Sequence, residues 1–284
     1  MIILKQAARL QERLRQEREK GHRIGFVPTM GALHQGHLSL ISTARSHTDI
    51  TVCSIFVNPT QFNDPADFEK YPVTIEKDID LLVSAGTDIL FLPSVAEMYP
   101  DGWQDLEQYD LGYLETVLEG ASRPGHFQGV CQVVSRLLRL VAPDQLFMGR
   151  KDYQQCMVVK RLLTIMQSNI ELVPCPTLRQ ADGLAMSSRN MRLSPEDRQR
   201  ATAIHQALDT LRQQLIPGPL QPLKEQAIRF LQDQGFRPDY VEIADADTLE
   251  LVGQWDGRQP LVGLVAAFLG EIRLIDNMLL TIMR

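Results

Sequence analysis

Long apolar runs are missing from this sequence of 284 residues. No stretch reaches the ~18 residues of a membrane-spanning helix, and Met1-Ile2-Ile3-Leu4 is too short for the apolar core of a secretory leader. Cysteine is sparse. Cys53, Cys131, Cys156 and Cys175 stand singly, with no Cys-x-x-Cys pair, which removes zinc and disulfide frameworks and suits a reducing cytoplasm. A positive balance is lacking too: 29 Lys and Arg against 35 Asp and Glu leave a net charge of -6, where a general nucleic-acid binder shows a basic excess or stripe. Internal repeats and low-complexity tracts are absent. What remains is 44% hydrophobic and 23% charged, an ordinary globular composition with enough chain for one large domain or two moderate ones.

The pattern along the chain predicts a fold class. Residues 7–20 carry Leu10 and Leu14 among charges, an amphipathic surface helix. Apolar strands then alternate with helical patterns: strands at 23–27, 50–57, 88–92, 145–148 and 170–173, helices at 37–45, 75–85, 129–141 and 152–167. Pro174 and Pro176 are expected to stop the last of these strands. Near-continuous apolar strands separated by helices predict a Rossmann-like α/β domain over 1–176, a parallel sheet with helices on both faces. Ligands of such sheets collect at the strands' carboxyl ends, where both 29–37 and 149–152 fall. After residue 176 the character changes. Ser194 before Pro195 starts a helix expected to run to about Leu215. Pro217-Gly218-Pro219 breaks the chain, a helix over 222–234 ends at Gly235, and strands follow at 240–244, 261–269 and 272–278. This predicts a smaller α+β domain over 177–284.

The segment Pro28-Thr29-Met30-Gly31-Ala32-Leu33-His34-Gln35-Gly36-His37, directly after the first Rossmann-type strand, is the most informative. A Gly-rich turn from strand to helix is expected to aim backbone N–H groups and the positive helix end at one point. Two imidazoles add donors there, which makes a polyphosphate site. The form G-x-x-x-x-G-H-L nearly matches a Walker A loop, but His37 replaces its lysine and Leu38 its Ser/Thr, so those mechanics fail twice. A zinc site would need a third ligand, and none is evident. No Ser/His/Asp or Cys/His triad stands out.

His-x-Gly-His after a strand resembles the HIGH motif of the nucleotidyltransferase superfamily. The wider words resemble the pantoate–β-alanine ligase family, and they are collinear with it from end to end. They are 27–37, Ser54-Ile55-Phe56-Val57-Asn58-Pro59-Thr60-Gln61-Phe62, Leu118-Glu119-Gly120-Ala121-Ser122-Arg123-Pro124-Gly125-His126-Phe127, Phe147-Met148-Gly149-Arg150-Lys151-Asp152-Tyr153-Gln154-Gln155, Asp182-Gly183-Leu184-Ala185-Met186-Ser187-Ser188-Arg189-Asn190 and Arg273-Leu274-Ile275-Asp276-Asn277.

The resemblance implies a two-step ligation. Pantoate's carboxylate attacks the α-phosphorus of ATP to give an adenylate and pyrophosphate, and the amine of β-alanine then displaces AMP. It implies that Met30, Gly31, Ala32, Leu33, His34, Gln35, Gly36 and His37 bind ATP, with His37 and His34 catalytic. Gly149, Arg150, Lys151 and Asp152 would form a second ATP-binding turn, in which Lys151 is catalytic, bridging carboxylate and phosphate. Leu178 would lie at the adenine through its backbone. Met186, Ser187, Ser188 and Arg189 would be a mobile phosphate clamp that lets the smaller domain close over the active site. Gln61 and Gln155 would contact pantoate and β-alanine, with Gln155 one helical turn past Lys151 and so on its face. Mg²⁺ would travel with ATP. Asp78 is its best protein ligand, unless that residue is simply part of an exposed helix. A cytoplasmic homodimer with no nucleic-acid or membrane partner completes the expectation. Glu119, Arg123 and His126 belong to the subunit contact or the pocket. Two competing readings stay open: a nucleotidyltransferase that stops after AMP transfer, and a nucleotide-binding regulatory protein without turnover.

Overall fold

A computed structural model describes residues 1–62, 68, 71–104 and 106–281. The chain divides into two compact units, one of Met1–Arg150 with Gln154–Pro176, the other of Lys151–Tyr153 with Thr177–Arg284.

The first unit is built on a parallel sheet of β1 (Ile2–Leu4), β2 (Ile24–Thr29), β3 (Ile50–Ile55), β4 (Ile89–Phe91), β5 (Gln145–Gly149) and β6 (Glu171–Cys175). Their spatial order is β1-β4-β3-β2-β5-β6. Every pairing is parallel, as the near-continuous apolar runs predict. Side chains alternate strictly between two cores. Phe26, Val52, Ile89, Phe91, Leu146 and Met148 face one, and Val27, Cys53, Leu90 and Phe147 the other, the period of two expected of a sheet buried on both sides. Helices α1 (Ala7–Glu19), α6 (His126–Val141) and α7 (Tyr153–Ile165) cover the first face through Leu10, Leu14, Val130, Val134, Val158 and Leu162. Helices α2 (Gln35–His47) and α3 (Ile75–Ser84) cover the second through Ile41, Ala44 and Leu82. Two short helices, α4 (Val95–Met98) and α5 (Leu118–Ser122), carry no sequence period long enough to read. This is the Rossmann-like layering expected. The order reverses between β2 and β5, which puts a crevice at the carboxyl ends of those two strands.

The second unit pairs β8 (Arg237–Asp245), β10 (Leu261–Leu269) and β11 (Ile272–Leu279) antiparallel in the order β11-β10-β8. A two-stranded ribbon joins β7 (Gly218–Pro219) to β9 (Gln254–Trp255). Helices α8 (Pro195–Arg200), α9 (Ala203–Gln213) and α10 (Gln221–Asp233) belong here, and Ile204, Leu208, Leu211 and Leu231 share a core with Ile243 and Val265. This is the α+β architecture predicted.

Three local expectations change. The single helix expected over 194–215 is two, α8 and α9, parted at residues 201–202, where the Ile204 N–H turns to the Ala201 carbonyl three residues back at 3.4 Å instead of continuing the four-residue ladder. Strand β6 runs through Pro174 to Cys175 instead of stopping at Val173, which a proline permits on an edge strand. Residues 2–4, read only as too short for a leader, form the opposite edge against β4.

All four cysteines are buried. Burial pushes the Cys53 and Cys131 thiols up to about 12 and raises Cys175 as well. Since the thiolate is the reactive form, none of them should react quickly with a disulfide reagent near pH 8, and all four should react once the chain is denatured. A native protein that releases a stoichiometric burst of chromophore would contradict this.

Candidate active site

The loop after β2 is organised from within. The Thr29 hydroxyl donates to the Ser54 carbonyl at 2.7 Å. Gly31 and Ala32 follow at φ 84° and 49°, and these consecutive left-handed residues turn the next amides inward. The Ala32 and Leu33 N–H groups both donate to Asp78, at 3.0 and 2.8 Å. Asp78 lies on α3, is fully buried, and also accepts from the Thr74 hydroxyl at 3.1 Å. A left-handed alanine costs about 1 kcal/mol, which these charge-assisted bonds offset.

His34 is the N-cap of α2, so the helix begins at Gln35, ahead of the His37 start expected. Its Nδ1 accepts from the Gly36 N–H at 3.1 Å, while His37 Nδ1 accepts from the His34 N–H at 3.3 Å. The two imidazoles thus form a reciprocal capping box, a place usually held by Ser/Thr and Glu. Their ring centroids are 4.1 Å apart. An Nδ1 that accepts carries no proton, so the hydrogen-bond pattern assigns the neutral tautomer of both rings as Nε2–H.

These bonds correct one expectation. The N–H groups of Ala32, Leu33, His34 and Gly36 are spent on Asp78 and on the two imidazoles, and the Ala32 and Leu33 side chains are buried. Those four amides are engaged within the loop, and the ring Nε2–H groups stand at the positive end of α2.

Asp78 likewise does not fit a metal ligand. Its carboxylate is enclosed and holds three donors. Among the described residues, no group of three His, Cys, Asp or Glu side chains is disposed to hold a metal.

Gln61 ends the single turn Pro59–Gln61 after β3. Asn58, fully buried, donates to the Gly129 carbonyl at 3.1 Å and to Gln61 Oε1 at 3.3 Å, and accepts from the Tyr99 hydroxyl at 2.8 Å. Burial raises the Tyr99 pKa, which keeps it a donor. The Gln61 amide nitrogen meets the sulfur of Met30. His126 Nδ1 donates to the Gln61 carbonyl at 2.9 Å and its Nε2 faces Arg123 at 3.0 Å. A methyl on Gly129 would overlap the Thr60 carbonyl, so α6 carries glycine there. Asn58, Tyr99 and Gly129 were not singled out from sequence; only the Asn-Pro pair at the strand end could have flagged the first.

Gln155 is half-buried on α7. Its neighbour Gln154 is buried and serves the fold, accepting from the Glu119 N–H and donating to the Leu114 and Val117 carbonyls. The one-turn relation expected between Lys151 and Gln155 does not hold as a helix. Arg150–Asp152 is a 3-10 turn, α7 starts at Tyr153, and Lys151 groups with the second unit while Gln155 stays in the first. Gly149 ends β5 and Arg150 follows it, both half-buried in the first unit.

Within the second unit, Lys151, Ser187, Arg189, Asn190, Arg273 and Asp276 line one cavity. Lys151 Nζ is 3.3 Å from Asp152. Leu178 and Met186 meet across a small hairpin, the Met186 N–H donating to the Leu178 carbonyl at 3.0 Å. Ser187 caps the turn Ser188–Arg192 by accepting from the Arg189 N–H, and the Arg189 side chain is exposed.

If Asp78 braces the loop rather than a metal, Asp78→Ala orphans two buried N–H groups at roughly 1–3 kcal/mol each. The expected result is a lowered Tm and weakened turnover that excess Mg²⁺ does not restore. Recovery of activity on titrating Mg²⁺ would return the residue to the metal.

The family described as pantoate-beta-alanine ligase matches residues 2–279. A pantothenate synthetase of Bacteroides fragilis is 44% identical over 273 residues, spanning 94% of this chain and 95% of that protein. One from Cytophaga hutchinsonii is 42% identical, with 99% of each covered. The crystal structure of pantothenate synthetase from Thermus thermophilus superposes with a TM-score of 0.86 at 41% identity, covering 99% of both chains. The pantoate-beta-alanine ligase of Francisella tularensis, crystallised with beta-gamma ATP and beta-alanine, gives 0.82 at 38% identity over 99% of this chain and 98% of that one. With the match running nearly from end to end, this chain belongs to the pantoate–β-alanine ligase family.

Proposed function

We propose that the chain joins pantoate to β-alanine at the expense of ATP, through a pantoyl adenylate. In the first step a pantoate carboxylate oxygen bonds to the α-phosphorus and the bond to the bridging oxygen of pyrophosphate breaks. In the second the β-alanine nitrogen bonds to the activated carbonyl, the acyl–phosphate C–O bond breaks, AMP leaves and the nitrogen sheds its proton. No enzyme nucleophile is needed, because the anhydride is itself the activated species. The protein's task is to position reactants and to balance negative charge as it moves toward pyrophosphate.

The observation that carries this reading is the reciprocal imidazole cap at the start of α2, which sets two rings side by side with their Nδ1 atoms turned to the backbone. His37 and His34 donate to phosphate oxygens in the first step. Lys151 brings a compact positive charge to the attacking carboxylate and the phosphate, and Ser187, Ser188 and Arg189 hold the triphosphate tail. Gln61, held by Asn58 and His126, and Gln155 orient pantoate and β-alanine, since an amide serves both hydroxyl and carboxylate. Mg²⁺ accompanies the ATP phosphates and needs few protein ligands, which agrees with an Asp78 already engaged. A cytoplasmic homodimer, acting without nucleic acid or membrane, belongs to the same reading.

Incubation with ATP, Mg²⁺ and pantoate, with and without β-alanine, tests it. Pyrophosphate should appear in both cases and AMP chiefly with the amine; AMP transfer that consumes no amine would favour a plain nucleotidyltransferase. His37→Ala should slow pyrophosphate release by roughly 10²–10³ while the far-UV spectrum and Tm stay near those of the parent. An unchanged first-step rate would remove His37 from the chemistry.

A further inference from the structure

The word Arg273-Leu274-Ile275-Asp276-Asn277 near the end of the sequence has no part in the chemistry so far, yet two of its side chains are buried polar groups, Asp276 at 5% exposure and Asn277 at 7%. Both lie on β11, which is held along its length by the buried β10, Asp276 opposite Val265 and Asn277 opposite Leu264. Neighbouring strand residues face opposite ways, and these two reach different segments of the second unit.

Asp276 receives both arms of Arg179, at 2.6 and 3.0 Å. Arg179 also donates to the Gly183 and Asn277 carbonyls at 3.1 Å each and pairs with Ala185 across the hairpin that ends at Met186. The strand therefore fixes the root of the 186–189 segment. Asn277 Nδ2 donates to the Lys151 carbonyl at 2.7 Å. Two residues on, the Tyr153 hydroxyl donates to the Ala246 carbonyl at 2.7 Å. Through these ties a three-residue piece of chain, flanked on both sides by the first unit, groups with the second.

We infer that Asn277 is a positioning residue for Lys151. It fastens the lysine's backbone to the same strand that roots the 186–189 segment, so that ammonium and clamp are carried on one mount. A buried Arg–Asp pair is a poor way to gain stability alone, and a bidentate one fixes orientation. A lysine head on a four-carbon stem is placed only as well as its backbone is, and a misplacement of about 1 Å at a reacting group costs on the order of 10²-fold. The inference rests on the proposed role of Lys151 in adenylation.

Single-turnover pyrophosphate release, with ATP and pantoate, tests it in a double-mutant cycle. Asn277→Ala should lower the first-step rate about 10- to 100-fold with little change in the pantoate KM. In a Lys151→Ala background the same change should shift the rate less than about 2-fold, because the effect travels through the lysine. Equal losses in both backgrounds, or no loss in the first, overturn the inference. Should Asn277→Ala fail to fold, Asn277→Asp keeps the shape and removes the donor, with the same outcomes expected. Failure of both to fold assigns Asn277 to the fold and also overturns it. The two readings are separable: an unsubstituted chain that makes no pyrophosphate defeats the proposed function, whereas one that makes it while Asn277→Ala is silent defeats only the positioning role.

Discussion

One buried carboxylate sets the geometry on which the candidate site depends. Asp78 takes the amides of Ala32 and Leu33 and thereby stabilises two successive left-handed residues. Because the loop is held from below, His34 arrives as the cap of α2, and the two imidazoles can then satisfy each other's backbone. Buried backbone donors must find partners, and here the partners are a carboxylate and two ring nitrogens. The consequence is chemical. Ring nitrogens that accept on one side present protons on the other, so the capping requirement of a helix fixes a tautomer. The same economy recurs at Gln61, whose backbone is held by His126 and whose side chain is held by Asn58.

Much of this was legible in the sequence, and the reasons are physical. Strands buried on both faces leave unbroken apolar runs, so the parallel sheet and its helices could be read from Phe26-Val27, Val52-Cys53 and Leu146-Phe147, each pair divided between opposite cores. The candidate site could be located because its residues cluster in short words at strand ends. Destinations of hydrogen bonds were not legible. Nothing at 31–33 announces that its amides turn toward a residue more than forty positions away, and an acidic side chain one turn into a helix looks the same whether it binds metal or a loop. The break between α8 and α9 was hidden for a related reason: a single shortened bond from the Ile204 N–H to the Ala201 carbonyl leaves no mark on helical periodicity. The grouping of Lys151 with the second unit depends on contacts made from β11, more than a hundred residues later.

Family membership and local geometry support different parts of the account. The end-to-end match carries the ligase activity. The geometry carries the local part: in the first unit two imidazoles cap α2 through their Nδ1 atoms, and in the second β11 holds the backbone of Lys151.

The excursion of Lys151–Tyr153 into the second unit has a topological consequence. The backbone passes between the units three times, at 150–151, 153–154 and 176–177, so they are laced together rather than joined by one tether. A fragment ending at 176 would keep Lys151 but lose the strand that seats it. One beginning at 177 would keep the seat and lack the lysine. Neither half alone would keep Lys151 on its seat, and a lacing of this kind makes the polypeptide, rather than the domain, the smallest exchangeable piece.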